Sequence, residues 1–330
     1  MSEKGGNANN SDVHGLVLFK SKTKQEKQAL DEYELESVDQ ENKIKLRAQL
    51  VPFGASYRYS IVIANQSPAE ITEIKIRIKF PDFLELYRIS PPTIGLKSMD
   101  QEETDLTQIS LELEELLGNS KKQINIYLHP KELNKSGEIT TYVTYVNIQD
   151  YVRVLNSESA ELILKPVTLG PKIMPSHLIN QFLQKEDVKK VIKSMGVAKI
   201  NDKSFALYLN IMDQILRSNH LQLIARDDDK QIVWYFGKEL ESGNDVLVIG
   251  QIVSHKIEFI AASKIHQTLI AILTKLANNF TRRLMSTGHV SSEHEVIGLE
   301  CKYCGAILPR FPNKGESIEC KNCNNEYIVW

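Results

Sequence analysis

Four cysteines, all between positions 301 and 323, are the residues of this 330-residue chain whose type and spacing most directly specify a chemistry. Cys301-Lys302-Tyr303-Cys304-Gly305 is followed, after one short intervening stretch, by Cys320-Lys321-Asn322-Cys323-Asn324. Two Cys-x-x-Cys pairs at this separation are the ligand pattern of a zinc ribbon. The two-residue gap lets both thiolates of a pair converge on one tetrahedral ion. The chain must then turn sharply, where a positive φ is favoured; Gly305 adopts it freely and Asn324 is the best non-glycine substitute. Ala306-Ile307-Leu308 and Ser317-Ile318-Glu319 read as hairpin strands joined through Pro312–Gly315, with Tyr327–Trp330 as a third. All four ligands are thiolates, so the expected cofactor is one structural zinc ion with no open coordination position.

No other group carries a comparable signal. His289 and His294 lie in a polar stretch, and Asp227-Asp228-Asp229 reads as a hairpin tip. There is no phosphate-binding glycine loop, no nucleophile elbow and no His-Glu-x-x-His, so no enzyme and no small-molecule substrate are expected. Near the cysteines, Lys302, Arg310, Lys314 and Lys321 are balanced by Glu300, Glu316, Glu319 and Glu326. Over the whole chain, 40 basic residues face 42 acidic ones. That balance argues against nucleic acid, whose binding needs excess Lys and Arg. No apolar run is long enough to span a bilayer. No secretory signal precedes the chain and the start is Met-Ser, so the expected compartment is cytoplasmic, peripheral to membranes only through partners.

Several elements must position the ribbon. Residues 1–42 read as a disordered charged tail, with Val17-Leu18-Phe19 as its one apolar cluster. From 43 to 172 the hydrophobic period is two: Ile44, Leu46 and Ala48 alternate with polar residues, as do Ile74, Ile76, Ile78 and Phe80. Short runs of this kind, separated by Asn65–Pro68, Pro91-Pro92, Gly118–Ser120 and Asn134–Gly137, predict an immunoglobulin-like β-sandwich of seven or eight strands. Residues 102–117 fit a strand followed by a turn of helix. Gly170–Pro175 reads as a rigid linker. Residues 173–286 then read as an α+β unit of helices on a four-stranded antiparallel sheet. Leu178, Phe182, Val188, Val191 and Ile192 suggest two short helices, and Asn201/Asp202 an N-cap for the next. That helix presents Phe205, Leu209, Met212, Ile215 and Leu216, and a long closing helix presents Ile265, Leu269, Ile272, Leu273, Leu276, Phe280 and Leu284. A polar stretch from Ser286 leads to the ribbon at 297–330.

The order of sandwich, linker and helix–meander–helix platform resembles the appendage (ear) region of vesicle-coat adaptors, such as clathrin adaptor large subunits and the gamma subunit of the COPI coat. Asp245–Val253 and Ile257–Ser263, leading into the last helix, carry the similarity, with Leu178–Phe182 as the first platform helix. The resemblance covers residues 43–285 and implies a binding module for linear peptide motifs or coat scaffold subunits. Its implied anchors are Phe182, where clathrin adaptors often have Trp, and the strand Trp234-Tyr235-Phe236. Trp234 and Phe236 share one face and Tyr235 takes the other. The long α-solenoid trunk of the family is absent from this sequence, so the resemblance implies joining a coat through another chain. The ribbon is an addition to the family pattern. The alternative expectation is a transcription-related factor, because the platform is similar to the TATA-binding-protein (TBP) topology and zinc ribbons recur in transcription machinery.

Overall fold

The computed structural model describes residues 40–94, 96–102, 105–198, 200 and 204–330. The expectations for the tail up to residue 39, and for the N-cap at Asn201/Asp202, lie outside these residues. Residues 40–42 are not tail: Gln40 is buried. Its Nε2 donates to the Glu70 carbonyl and its Oε1 accepts the Ile148 N–H, each at 3.4 Å.

Two antiparallel sheets close over one apolar core. The first contains β1 (Ile44–Phe53), β2 (Ser56–Asn65), β4 (Leu84–Ser90) and β7 (Ser120–Pro130), in the order β1-β2-β7-β4. The second contains β3 (Ile71–Pro81), β5 (Leu96–Glu102), β6 (Leu106–Leu116), β8 (Lys135–Val146) and β10 (Ala160–Leu164), in the order β10-β8-β3-β6-β5, with β9 (Val152–Asn156) also paired to β8. With the β5–β6 hairpin set aside, the first, second, fifth and fourth strands form one sheet and the seventh, sixth and third the other. That is the strand order of the immunoglobulin-like sandwich. The alternation expected in β3 is realised, with Ile74, Ile76, Ile78 and Phe80 wholly buried. Tyr59 and Thr141 hydrogen-bond across the core at 2.8 Å. Residues 106–116 form one continuous strand without a helical turn. Pairing with β3 along its whole length overrides the local pattern. The sequence gives no periodic signal for β5, because Leu96 and Met99 are exposed.

The following unit is a single seven-stranded sheet rather than a four-stranded one. β11 (Leu169–Pro171) pairs with β14 (Ile232–Glu239), so the expected linker begins as an edge strand. The short helix α1 (Ile179–Leu183) is followed by the strand β12 (Lys189–Val197), where a second helix was expected. β12 is buried on both faces: Val191 and Met195 join the core beneath the long helices, and Ile192 packs towards α1. A strand covered on both sides loses the clean period of two that would reveal it. The helix α2 (Phe205–Ser218) precedes the meander β13 (Gln222–Asp227), β14, β15 (Asp245–Val253) and β16 (Lys256–Ser263). The helix α3 (His266–Ser286) closes the unit, and β17 (Val296–Gly298) adds to the outer edge of β12.

α3 is buried around more of its circumference than an amphipathic surface helix. Leu269, Leu273, Leu276 and Phe280 enter the platform core, while Ile270 enters the core of the sandwich. Polar contacts fix the same junction. His266 Nε2 lies 2.8 Å from the Gly54 carbonyl, Lys275 Nζ donates to the Val167 carbonyl at 3.1 Å, and Asn278 donates to the Lys131 carbonyl at 2.7 Å. No helix among the described residues is long and apolar enough to cross a membrane.

Candidate metal centre and its docking

Each cysteine pair sits on the same backbone turn. The Cys301 N–H donates to the Ala306 carbonyl at 2.7 Å and the Gly305 N–H to the Cys301 carbonyl at 2.8 Å. In the second turn, Cys320 N–H donates to Asn325 at 3.0 Å and Asn324 N–H to Cys320 at 2.8 Å. Gly305 takes φ +77° and Asn324 φ +56°, the left-handed conformation their types allow. The turns bring together the flanks of each pair. Glu300 bridges Ile307, and β18 (Ser317–Glu319) pairs with β19 (Glu326–Ile328). The expected hairpin between 306–308 and 317–319 is absent among the described residues, because each strand is claimed by the far side of its own turn.

The four Sγ atoms lie within 4.8 Å of one another. Cys301 and Cys323 approach to 3.7 Å, Cys304 and Cys320 to 3.6 Å. A tetrahedron with metal–sulfur bonds of ~2.3 Å has edges of ~3.8 Å, so the thiol cage fits one such ion. These separations are far beyond the ~2.05 Å of a disulfide. The Tyr303 N–H and Asn325 Nδ2 point at Cys301 and Cys323 sulfurs, at 3.4 and 3.3 Å, and offset thiolate charge. Cys301 and Cys320 are buried with Leu299, Leu308, Phe311 and Ile318, which form the small core around the cage. No other group of three or more His, Cys, Asp or Glu side chains among the described residues is placed to share an ion. Asp227 and Asp228 instead pair with Lys230 and Arg226.

The metal module is docked on both other units. On the platform, the Phe311 ring lies where a Cβ at Gly196 would be, 2.2 Å from it, so only glycine permits this contact. Phe311 also stacks on Trp330 at 5.3 Å between centroids. On the sandwich, the Arg88 guanidinium lies over the Tyr127 ring at 3.4 Å and reaches the Tyr303 carbonyl at 3.4 Å. A Cβ on Gly305 would fall 2.6 Å from that guanidinium, so Gly305 serves both the turn and the docking. Tyr87 donates to the Glu300 carbonyl, and His129 Nε2 lies 3.9 Å from the Glu300 carboxylate. Burial holds the His129 imidazole well below its ordinary pKa, and nearby Lys193 adds to the effect. Burial likewise raises the Glu300 carboxyl, opposed by Lys193 and Arg88. Arg88, Gly196, Phe311 and His129 carried no motif in the sequence; their roles arise only where three units meet.

The residues expected as peptide anchors divide between the two faces of the sheet. Phe182 and Phe236 are buried against each other, rings 5.4 Å apart and perpendicular. Trp234 lies on the same face, half-buried, and packs with Ile224 and Ile232 against the same cluster. Tyr235 is wholly buried under the long helices, its hydroxyl donating to Asp213, which also holds Arg217 at 2.9 Å. Of the lysines near the first helices, Lys189 and Lys190 are exposed, whereas Lys193 is half-buried on the face of β12 that carries Val191 and Met195.

No family model matches the chain, and no curated protein matches it. Solved structures that it resembles include an uncharacterised immunoglobulin-like protein from Nocardia farcinica, at 12% identity over 36% of this chain and 97% of that one, with a TM-score of 0.27. A non-cellulosomal cohesin from Archaeoglobus fulgidus matches at 13% identity over 36% of this chain and 88% of its own, TM-score 0.27. BcpA, the major pilin subunit of Bacillus cereus, matches at 9% identity over 66% of each chain, TM-score 0.27. At such scores these likenesses carry no argument, and the sandwich assignment stands on its strand order.

Proposed function

We propose that this protein is a non-enzymatic, appendage-like adaptor of a vesicle-trafficking type of assembly, binding peptide motifs or coat scaffold subunits and touching membranes only through them. The observation that carries this reading is the order of modules. A sandwich is locked by α3 to an α+β unit built on a seven-stranded sheet, and a module closed around four cysteines is docked on both. The metal is a single structural zinc ion, because four thiolates in a tetrahedral cage are the donor set of structural zinc and leave no position for a reacting water. Thiols kept as metal ligands rather than disulfides suit a reducing, cytoplasmic compartment.

Within this reading the platform face beside α1 is the recognition surface. Phe182 and Phe236 form its floor, and Trp234 is the anchor still reachable by a partner. An aromatic anchor flanked by half-buried isoleucines is the composition of a binding hot spot. Affinity purification of the tagged full chain from its native cell tests the proposal. The expected outcome is a protein partner at near-equal stoichiometry, reduced by Trp234→Ala. Recovery of nucleic acid without protein would favour the transcription-related alternative, and recovery of neither would end the adaptor reading.

A further inference from the structure

The three modules leave a cleft of about 220 Å³ between them, bounded by the β1–β2 turn, Arg88, the first half of β12, Glu300 and Gly305. Two independent features give this cleft a chemistry. The first is an open strand edge. β12 pairs with β16 along Lys189–Met195, but with β17 only along Met195–Val197. On the β17 side the Ser194 carbonyl accepts the Leu299 N–H at 3.0 Å, and the Ala198 N–H reaches Glu295 at 2.9 Å. Backbone groups two residues apart in a strand point to the same side. Those of Lys190 and Ile192 therefore face outward into the cleft, where no backbone partner meets them among the described residues. The open edge is ~7 Å long, the length of a dipeptide in extended form.

The second feature is an excess of positive charge, since Arg88 and Lys190 line the cleft with a single carboxylate, Glu300. Arg88 is only 7% exposed, yet its one hydrogen bond among the described residues is the long contact to Tyr303. It has no carboxylate within 4.0 Å among the described residues, and Lys193 likewise has none. Glu300, the carboxylate of the cleft, lies 3.9 Å from the neutral His129 imidazole and faces Arg88 and Lys193 at longer range, Lys193 being shared with Glu85. With two cations and one carboxylate on its lining, and no carboxylate close to Arg88 among the described residues, the cleft favours an acceptor supplied from outside. Lys190 is exposed, and Phe53, 41% exposed, offers an apolar contact at the same cleft.

We propose that this cleft binds an acidic peptide in extended conformation, which adds a short strand to the open edge of β12 and places a carboxylate on Arg88. Strand addition uses the backbone of Lys190 and Ile192. The planar guanidinium, held flat on Tyr127, presents its fork to a carboxylate in a way lysine could not. Lys190 favours the same charge at the mouth. The inference rests on the reading of the protein as a peptide-binding adaptor, and it adds a site separate from Trp234, one that exists only while the metal module is docked.

The test uses the full, zinc-loaded chain and an array of eight-residue Val/Thr-rich peptides carrying one Asp or Glu. Each has an Asn or Gln counterpart and is made with a free or an amidated C-terminus. Fluorescence anisotropy should show acidic members binding about tenfold or more tightly than their counterparts. That preference should persist when the C-terminus is amidated, because the carboxylate is a side chain's. Lys190→Glu, on an exposed side chain, and Arg88→Gln, checked for retained zinc, should each weaken binding about tenfold. Trp234→Ala should leave it unchanged. Equal binding of acidic and amide peptides, absence of binding, or indifference to Lys190→Glu would overturn the proposal. If a protein partner is captured from cells while the array shows no acidic preference, the adaptor reading survives and the cleft does not. If the array succeeds and no partner is captured, the reverse holds.

Discussion

At the residue scale, Gly305 shows how one position is fixed twice. Its φ of +77° is required by the turn after Cys301-x-x-Cys304, and its missing side chain is required by Arg88 of the sandwich. The cage and its docking are therefore coupled through a single residue. The cysteines supply the energy: the small core of Leu299, Leu308, Phe311 and Ile318 is too slight to hold an isolated segment of this length without a staple. Elemental analysis should find one zinc ion per chain. Cys301→Ser should lose it, along with the hydrogen-exchange protection of residues 299–330, while the sandwich core keeps its own. Protection unchanged after metal loss would show that packing alone holds the module.

At the element scale, α3 decides how the sandwich and platform sit. It carries two apolar stripes, one ending in Leu273 and Phe280 under the sheet and the other represented by Ile270 in the sandwich core. Ile270→Ala should cost about 2–4 kcal/mol in denaturant unfolding, the range for a fully buried isoleucine truncated in place. The loss should fall on the junction, so limited proteolysis after Pro166 should accelerate while Leu273→Ala destabilises the platform without that effect. Much of this helix was legible in the sequence, because twenty-one residues with apolar spacing of three and four allow few other structures. β12 was not legible. Its nine residues include Val191, Ile192 and Met195, whose spacing fits a helix as well as a strand buried on both faces. Only pairing with β16 decides between them.

At the scale of the whole molecule, the charged groups at the three-way junction link stability to pH. His129 is neutral in the folded protein, since burial and the positive Lys193 and Arg88 disfavour its imidazolium. The backbone carbonyl region of Ala55 and the Glu300 carboxylate act in the opposite sense but do not prevail. The unfolded chain takes up this proton near pH ~6.5 and therefore binds more protons than the folded one. This contribution is complete above that pH and is lost as pH falls through it towards the depressed folded value, by up to ~1.4 kcal/mol per pH unit. Unfolding free energies of wild type and His129→Gln, measured in zinc-containing buffer from pH 8 to 5.5, should therefore converge as pH falls. A difference independent of pH would mean that His129 acts by packing alone.

The sequence by itself determined the four-cysteine cage, since Cys-x-x-Cys spacing and a residue tolerant of positive φ after each pair are local requirements, met within a few bonds. It also determined most of the sandwich strands, where one face meets core and the other water, so that burial is written as alternation; β5 and the end of β6 escaped it. The tertiary structure alone decided what the ribbon rests on. Arg88 and Gly305, or Gly196 and Phe311, are more than a hundred positions apart in the chain, and no periodicity links them. It also decided that Phe182 and Phe236 pack on each other while Trp234 stays reachable, because exposure depends on which element covers a face. The open edge of β12 belongs to the same class: a strand end is free or paired according to where another segment happens to stop, and here β17 stops at Gly298.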